Sequence, residues 1–140
     1  MSNLAGKVAV VTGAGSGMGE GVARAFASEG AGVGVLDRNL AGAQRVADDI
    51  VSAGGKAVAV EADVGDEVSV PKAFADIVSA LGDVDILVNN AGIDTTSPLT
   101  EMPLEMWDDM MRVNLRSMFL CTREVVAGMQ AKKWGRIINF

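Results

Sequence analysis

Hydrophobic residues along the chain follow two alternating patterns. Short, nearly continuous apolar runs occur at 7–12, 32–37, 56–64 and 85–92, and another begins within 136–140. Between these runs the apolar positions recur every three or four residues, as on one face of an amphipathic helix. Strands that alternate with helices in short units pair in parallel and are covered by helices on both faces. The pattern therefore predicts an α/β fold.

The predicted helices differ in length and in the residues they present. The first covers 17–29 and places four apolar residues on one face: Met18, Val22, Ala25 and Phe26. The longest extends from about Pro103 to Lys132 by the same pattern. We expect most of the methionines of this region to lie in the core; they are Met102, Met106, Met110, Met111, Met118 and Met129.

Length and charge narrow the class of protein. The 140 residues form one domain's worth of chain, and no Pro- or Ser-rich linker interrupts them, so we predict a single domain over residues 1–140. The net charge is −6 and there is no basic run. A nucleic-acid partner is not expected, because neutralising phosphates requires clustered lysines and arginines.

The scarcity of metal-binding side chains narrows the chemistry further. The chain has one cysteine, Cys121, and no histidine. An internal disulfide is excluded, no Cys/His zinc site is predicted, and Cys121 is interpreted as a buried, inert thiol. The start of the sequence lacks a signal peptide and no run reaches membrane-spanning length. We expect a cytoplasmic protein without a membrane partner.

A glycine-rich turn follows the first predicted strand and opens the first helix. Its sequence is TGAGSGMGEG, with glycines at Gly13, Gly17 and Gly19 and an extra one at Gly15. Phosphates bind at helix N-termini, where free N–H groups and the helix dipole meet them, and a side chain on the turn would obstruct them. The spacing departs from G-x-G-x-x-G, and close packing of strand against helix remains an alternative.

An acidic residue, Asp37, ends the second predicted strand, 20 positions after Gly17. A carboxylate there can accept hydrogen bonds from both adenosine ribose hydroxyls and repels a 2′-phosphate, which favours NAD over NADP. The neighbouring Arg38 argues the other way, because its guanidinium could pair with that phosphate. A solvated residue at a strand end is the alternative for Asp37.

Four motifs together resemble the short-chain dehydrogenase/reductase family. They are T-G-x-x-x-G-x-G at 12–19, Asp63-Val64 after the third strand, NNAG at 89–92 and Asn114 within the long helix. The resemblance covers essentially the whole chain, but only the N-terminal part of the family's usual length. It implies a Rossmann-type doubly wound parallel sheet with strand order 3-2-1-4-5, truncated at the fifth strand.

The resemblance also implies roles for individual residues. Asp63 would hydrogen-bond the adenine amino group, Val64 would pack beside the ring, and Asn114 would be a catalytic asparagine whose backbone carbonyl holds a water in a proton relay. NNAG could instead be only a strand-ending turn, and Asn114 only a kink or a local backbone hydrogen bond. The implied cofactor site comprises Gly13, Ser16, Gly17, Met18, Gly19, Asp37, Arg38, Asp63, Val64, Asn90, Ala91, Gly92 and Ile93.

The function implied is hydride transfer between NAD and a secondary alcohol or ketone. The family's catalytic serine and Tyr-x-x-x-Lys pair would lie beyond the fifth strand, and this sequence contains no tyrosine. We therefore expect the chain to be the cofactor-binding half of a longer protein. By itself, this half should bind cofactor without turnover. Alternatives are a non-catalytic nucleotide-binding module and an S-adenosylmethionine-dependent methyltransferase, in which NNAG and Asn114 would have no role.

The long helix of 103–132 suggests a further partner. In the family that the motifs resemble, this helix often packs against a second subunit. We therefore expect a homo-oligomer formed through this helix, with some of its methionines on the shared face.

Overall fold

The chain folds around one parallel sheet of five strands, seen in a computed structural model that describes residues 3–140. The strands lie side by side in the order β3-β2-β1-β4-β5, which confirms the predicted topology. They are β1 (Val8–Thr12), β2 (Gly32–Asp37), β3 (Lys56–Glu61), β4 (Ile86–Asn89) and β5 (Arg136–Asn139). Successive crossovers run in opposite directions from β1, so a crevice opens between β1 and β4 at their carboxyl ends.

Helices cover both faces of this sheet. They are α1 (Gly17–Ser28), α2 (Leu40–Ser52), α3 (Ser69–Leu81), α4 (Leu104–Met111) and α5 (Ser117–Lys132). A short 3₁₀ turn covers Leu99–Glu101. The predicted third strand was too long, because 62–64 leave the sheet and form a loop at its carboxyl edge. Residues 90–92 form the predicted turn after the fourth strand. Within the described residues, no helix combines the length and apolar character needed to cross a bilayer.

Side chains of the central strands β1, β2 and β4 alternate between two apolar layers. On β1, Ala9 and Val11 face the layer that holds α1 and α2, whereas Val10 faces the layer that holds α3 and α5. Residues of both kinds are fully buried, as a parallel sheet covered on both faces requires. The second layer also contains Cys121, which is buried as expected. Burial raises the pKa of its thiol to about 12, so it stays protonated at neutral pH.

The buried face of α1 differs from the predicted one. Gly19, Ala23 and Ala27 are its buried residues, while Met18 is 70% exposed and Ala25 is exposed. A β-carbon at Gly19 would collide with the carbonyl oxygen of Gly13. At these three positions the helix lies so close to the sheet that only small residues fit. The predicted Val22 and Phe26 are partly buried and pack against the same apolar layer.

The predicted helix over 103–132 is nearly continuous but contains an irregular turn. A π-helical segment, Arg112–Arg116, joins α4 to α5. The expectation that most of its methionines are core residues is wrong, because only Met129 is buried. No residue of α4 is buried, so this end of the helix lies on the surface of the described chain.

Candidate functional site

A pocket of about 320 Å³ occupies the crevice at the carboxyl edge of the sheet. Its walls are the loops that follow β1, β2, β3 and β4. The structure brings together there every predicted cofactor-binding residue except Gly17 and Gly19; these are Gly13, Ser16, Met18, Asp37, Arg38, Asp63, Val64, Asn90, Ala91, Gly92 and Ile93. Side chains from three separated motifs therefore converge on one cavity.

Three lining residues were missed by the sequence analysis: Leu36, Ala62 and Val113. Each is apolar and immediately precedes a residue that was predicted for the site. Their adjacency to predicted site residues could have identified them, because ligand pockets are lined mainly by apolar side chains around a few polar groups.

The glycine-rich turn brings backbone close to both the pocket and α1. Gly13 and Gly17 adopt left-handed conformations with φ of +64° and +57°, which side chains rarely adopt. A β-carbon at Gly13 would lie 2.9 Å from the Cα of Ala91. Ser16 precedes α1, and its side chain makes no capping hydrogen bond. The first N–H groups of α1 are therefore not capped by this side chain.

Asp37 links the end of β2 to the glycine-rich turn. Its Oδ2 accepts a hydrogen bond from the N–H of Gly15 at 2.8 Å, and its Oδ1 accepts one from the N–H of Asn39 at 2.9 Å. A carboxylate oxygen can accept two hydrogen bonds, so each oxygen retains capacity for another donor. Arg38 is exposed beside it.

Asp63 is held by donors on one side and faces the pocket on the other. Its Oδ1 accepts from the N–H of Gly65 at 2.9 Å, and Nη1 of Arg112 donates to Oδ1 at 2.9 Å and to Oδ2 at 2.8 Å. Burial raises the pKa of this carboxyl, but the Gly65 N–H and the Arg112 guanidinium outweigh it and lower the pKa below its ordinary value. Asp63 is therefore ionised, and accepts hydrogen bonds only, at neutral pH.

The NNAG segment holds the glycine-rich turn against the end of β4. Nδ2 of Asn90 donates to the carbonyl oxygens of Thr12 and Gly13, at 2.9 and 3.3 Å. Oγ1 of Thr12 accepts from the N–H groups of Asn90 and Ala91, at 3.0 Å each. The Oδ1 atom of Asn90 is buried and has no hydrogen-bond partner, so an acceptor remains unused at the pocket.

Asn114 lies in the π-helical segment, behind the pocket wall. Its Nδ2 donates to the carbonyl of Ile93, and its Oδ1 accepts from the N–H of Ile93, both at 2.8 Å. The side chain thus pairs with both backbone groups of a residue 21 positions away, so its hydrogen bonds are not local. The helix is irregular at this position, because Asn114 lies within the π-helical segment. Asn114 fixes the loop after β4, and its neighbour Val113 lines the pocket.

The fold and the site define a family of oxidoreductases. The family model for short chain dehydrogenases matches residues 7–140, so the chain belongs to that family.

Three relatives illustrate the family's range. A short chain dehydrogenase of Pseudocercospora fijiensis is 39% identical over 138 residues, which are 97% of this chain and 45% of the relative. A 3-oxoacyl-(acyl-carrier-protein) reductase, FabG, of Aquifex aeolicus is 39% identical over 137 residues, or 97% and 55% of the two chains. D-threitol dehydrogenase of Mycolicibacterium smegmatis is 38% identical over 136 residues, or 97% and 52%. The chain spans about half the length of these relatives.

Proposed function

We propose that the whole protein is an NAD-dependent oxidoreductase that interconverts a secondary alcohol and a ketone, and that this chain supplies its dinucleotide-binding part. One observation carries the proposal. A glycine-rich turn, the carboxylates of Asp37 and Asp63, and the unpaired Oδ1 of Asn90 meet in one pocket where the strand order reverses. Ligands of such sheets bind at this position.

The turn fits a diphosphate. The left-handed glycines remove side chains from the approach to α1, and the uncapped N–H groups of its first turn supply hydrogen-bond donors. Oδ1 of Asn90 would accept a hydrogen bond from a ligand hydroxyl near the same turn.

Asp37 supports the choice of NAD. Both of its oxygens have room for a further donor, as adenosine ribose hydroxyls would supply. A 2′-phosphate would bring like charges together at the same carboxylate, which disfavours NADP. Arg38 opposes this preference only in part, because its side chain is solvated.

Asp63 and Val64 form the adenine end of the proposed site. Asp63 lies after β3, one strand further than Asp37 from the glycine-rich turn. A dinucleotide whose diphosphate is at the turn and whose ribose is at Asp37 would place its adenine there. The 6-amino group would then donate to Asp63, and the ring would pack on Val64.

When bound, the nicotinamide ring supplies the hydride chemistry. The residues of this chain bind and orient the dinucleotide, and Asn114 keeps the loop at Ile93 in place at the pocket wall. Because the chain contains no tyrosine, we propose that it binds cofactor without turnover by itself. The methyltransferase alternative lacks comparable support, and membership in the dehydrogenase family argues against it.

The partner proposed for this chain is a second copy that packs on α4 and α5. Large apolar side chains are exposed there at helical spacing; they are Leu104, Trp107, Met111, Leu115, Phe119 and Val126. Single apolar residues are common on protein surfaces, but a row of six along one helical region is typical of an interaction surface. Sedimentation of the chain and of its Leu115→Glu variant tests this proposal: the variant should be monomeric, and a wild-type chain that is monomeric at every concentration contradicts it.

Calorimetric titration tests the cofactor assignment. We expect saturable binding of NAD, weaker binding of NADP and no binding of S-adenosylmethionine, together with no alcohol or ketone turnover by the same preparation. A folded chain that does not bind NAD at concentrations expected to be saturating contradicts the proposal. Turnover of a secondary alcohol contradicts the claim that this chain only binds. The cytoplasmic location stays a prediction for cell fractionation to test.

A further inference from the structure

Arg112, which is not among the predicted site residues, pairs with the carboxylate of Asp63. Arg112 begins the π-helical segment that also contains Asn114, 49 positions after Asp63. Its guanidinium is divided between two acids. Nε and Nη2 donate to Oδ1 of Asp109 at 3.0 and 2.8 Å, which leaves Nη1 for Asp63. The guanidinium is thus held by Asp109 while it binds Asp63.

The loop around Asp63 is shaped to admit this guanidinium. Gly65 lies under the side chain of Arg112, and a β-carbon there would overlap Nη1. The φ of Gly65 is not in the left-handed region, so the glycine is required by the position of Arg112 and not by the conformation of the turn. The loop and the arginine therefore fit each other.

The hydrogen bonds leave Asp63 with a defined free acceptor. Oδ1 has two donors, from Gly65 and Arg112, and Oδ2 has one, from Arg112. Because an ionised carboxylate oxygen accepts about two hydrogen bonds, one position on Oδ2 is open. The Asp63 side chain is 45% exposed and lines the pocket, so a ligand can reach this position.

We propose that Arg112 is a positioning residue that sets the specificity of this site for a 6-aminopurine. By fixing the Asp63 carboxylate, Arg112 presents an acceptor to the 6-amino group of adenine and opposes a 6-oxo group, whose oxygen would face the same acceptor. The inference rests on the proposed function, since it presumes that a dinucleotide occupies the pocket.

The test compares two dinucleotides that differ at one position of the purine. NAD carries a 6-amino group, and nicotinamide hypoxanthine dinucleotide carries a 6-oxo group. We expect the wild-type chain to bind NAD more tightly by about tenfold or more, as for a hydrogen bond to a charged acceptor. The measured quantity is the dissociation constant of the hypoxanthine dinucleotide divided by that of NAD, both obtained by calorimetry.

Two variants disturb Arg112 in different ways. Arg112→Gln removes the guanidinium, and Gly65→Ala keeps the charge but displaces it. We expect both to lower the ratio by about threefold or more, because an unrestrained Asp63 no longer presents a fixed acceptor. A purely electrostatic role of Arg112 toward the diphosphate would instead change both dissociation constants by the same factor and leave their ratio unchanged.

Arg116→Gln is the matched control. Arg116 ends the same π-helical segment and pairs with Glu67 at 3.2 Å, but neither residue lines the pocket. We expect its ratio to stay within about twofold of wild type, as for surface pairs generally.

A readout without ligand complements the ratio. Carbon NMR of the Asp63 carboxyl should show its pKa rising in Arg112→Gln and staying unchanged in Arg116→Gln. This measurement and Gly65→Ala keep the inference testable if Arg112→Gln binds poorly.

The outcomes separate the two proposals. A wild-type chain that binds NAD but has an unchanged ratio in both Arg112→Gln and Gly65→Ala overturns the inference alone. Equal wild-type affinities for the two dinucleotides also overturn it. A folded wild-type chain that binds neither contradicts the proposed function, and the inference fails with it.

Discussion

Two aspartates at opposite ends of the sheet have the same kind of partner but different surroundings. Asp63, at the carboxyl edge, pairs with Arg112 at the start of the π-helical segment. Asp85, at the amino edge, pairs with Lys132 at the end of α5, where Nζ lies 2.7 Å from Oδ1. Their side chains are 45% and 10% exposed. The π-helical segment and α5, which are continuous, thus carry a basic residue at each end, and each of these residues pairs with an aspartate at one edge of the sheet.

The contacts of Asp85 close it off from ligands. Its Oδ2 accepts from the N–H of Val8 at 3.0 Å, and Nζ of Lys7 lies 4.0 Å from its Oδ1. Nζ of Lys132 also donates to the carbonyl oxygens of Asp83 and Val84, at 3.3 Å each. The buried carboxylate joins β1, β4 and α5, which is a structural role.

The difference lies in what each carboxylate leaves open. Asp85 is buried and surrounded by protein donors, whereas Asp63 keeps an accessible acceptor beside a cavity. An ion pair by itself therefore does not mark a functional site; an ion pair that leaves an acceptor facing a pocket can.

The largest expected effect comes from removing Asp85. Asp85→Ala removes the side-chain acceptor of the Val8 N–H in a mostly buried place and leaves the Lys132 ammonium with backbone carbonyls but no counter-charge. We therefore expect a loss of about 2–3 kcal/mol in the free energy of unfolding. Urea denaturation followed by circular dichroism measures it. Asp83→Ala, at an exposed neighbouring position, should stay within about 0.5 kcal/mol of wild type. Equal effects of the two changes on the free energy of unfolding would contradict the structural role of Asp85.

Two glycines of α1 test how tightly the carboxyl edge is built. Gly19→Ala should destabilise the chain by about 1–3 kcal/mol, because its β-carbon meets the Gly13 carbonyl, and should weaken NAD binding. Gly21→Ala, on the same helix, has no atom within 4 Å of the added carbon and should be neutral or stabilising by up to about 1 kcal/mol. Unfolding and NAD titration of both variants measure this contrast; an unaffected Gly19→Ala chain would contradict the close approach.

A substitution of Asp37 tests whether the accessible carboxylates at the carboxyl edge discriminate between NAD and NADP. Asp37→Ser should raise the affinity for NADP relative to NAD by about tenfold, because the charge that repels a 2′-phosphate is lost. Calorimetric titration with both dinucleotides gives the ratio. Asp49→Ser is a suitable control, since Asp49 lies on α2 outside the pocket. An unchanged ratio in Asp37→Ser would show that this carboxylate serves the turn and not the ribose.

The sequence predicted the elements that follow from periodicity. Alternating apolar runs and helical faces gave five strands and their helices, and the motifs gave the strand order and the loops that meet at the pocket. Asp37 was recognisable because it ends the apolar strand that follows the glycine-rich turn and its helix, whereas Asp63 was identified only through the resemblance to the dehydrogenase family. Cys121 was placed correctly for a similar reason, since a single thiol within an apolar helix is usually buried.

Other features depended on contacts between distant residues. The buried face of α1 is made of Gly19, Ala23 and Ala27, because the helix approaches the sheet too closely for larger side chains. The pairing of Arg112 with Asp63 spans 49 positions, and periodicity carries no information on such a distance. The methionines of residues 102–129, most of which are half-buried, were misjudged because Met suits core and surface contacts equally.

The smallest expected effect is a change in acid sensitivity that distinguishes the two aspartates. Burial raises the pKa of Asp85, but hydrogen bonds from Lys132 and the Val8 N–H outweigh it, so the pKa in the folded chain lies below the ordinary value near 3.8. A lowered folded pKa stabilises the fold above the pKa of the unfolded chain, and this contribution is lost as the pH falls through the folded pKa. Asp85→Asn should therefore be less stable at neutral pH and lose less stability than wild type below about pH 4.

Asp63→Asn sharpens the contrast between the two ends of the sheet. The pKa of Asp63 is also lowered, but its side chain is solvated, so solvent screens its contribution to stability. We expect Asp63→Asn to have an acid unfolding curve close to that of wild type and to lose most of its preference for NAD over the hypoxanthine dinucleotide. Urea unfolding between about pH 2.5 and 7 for both variants provides the measurement. If Asp63→Asn flattened the acid curve as much as Asp85→Asn, the carboxyl-edge pair would be stabilising the fold as well, and the division of roles between the two ends would not hold.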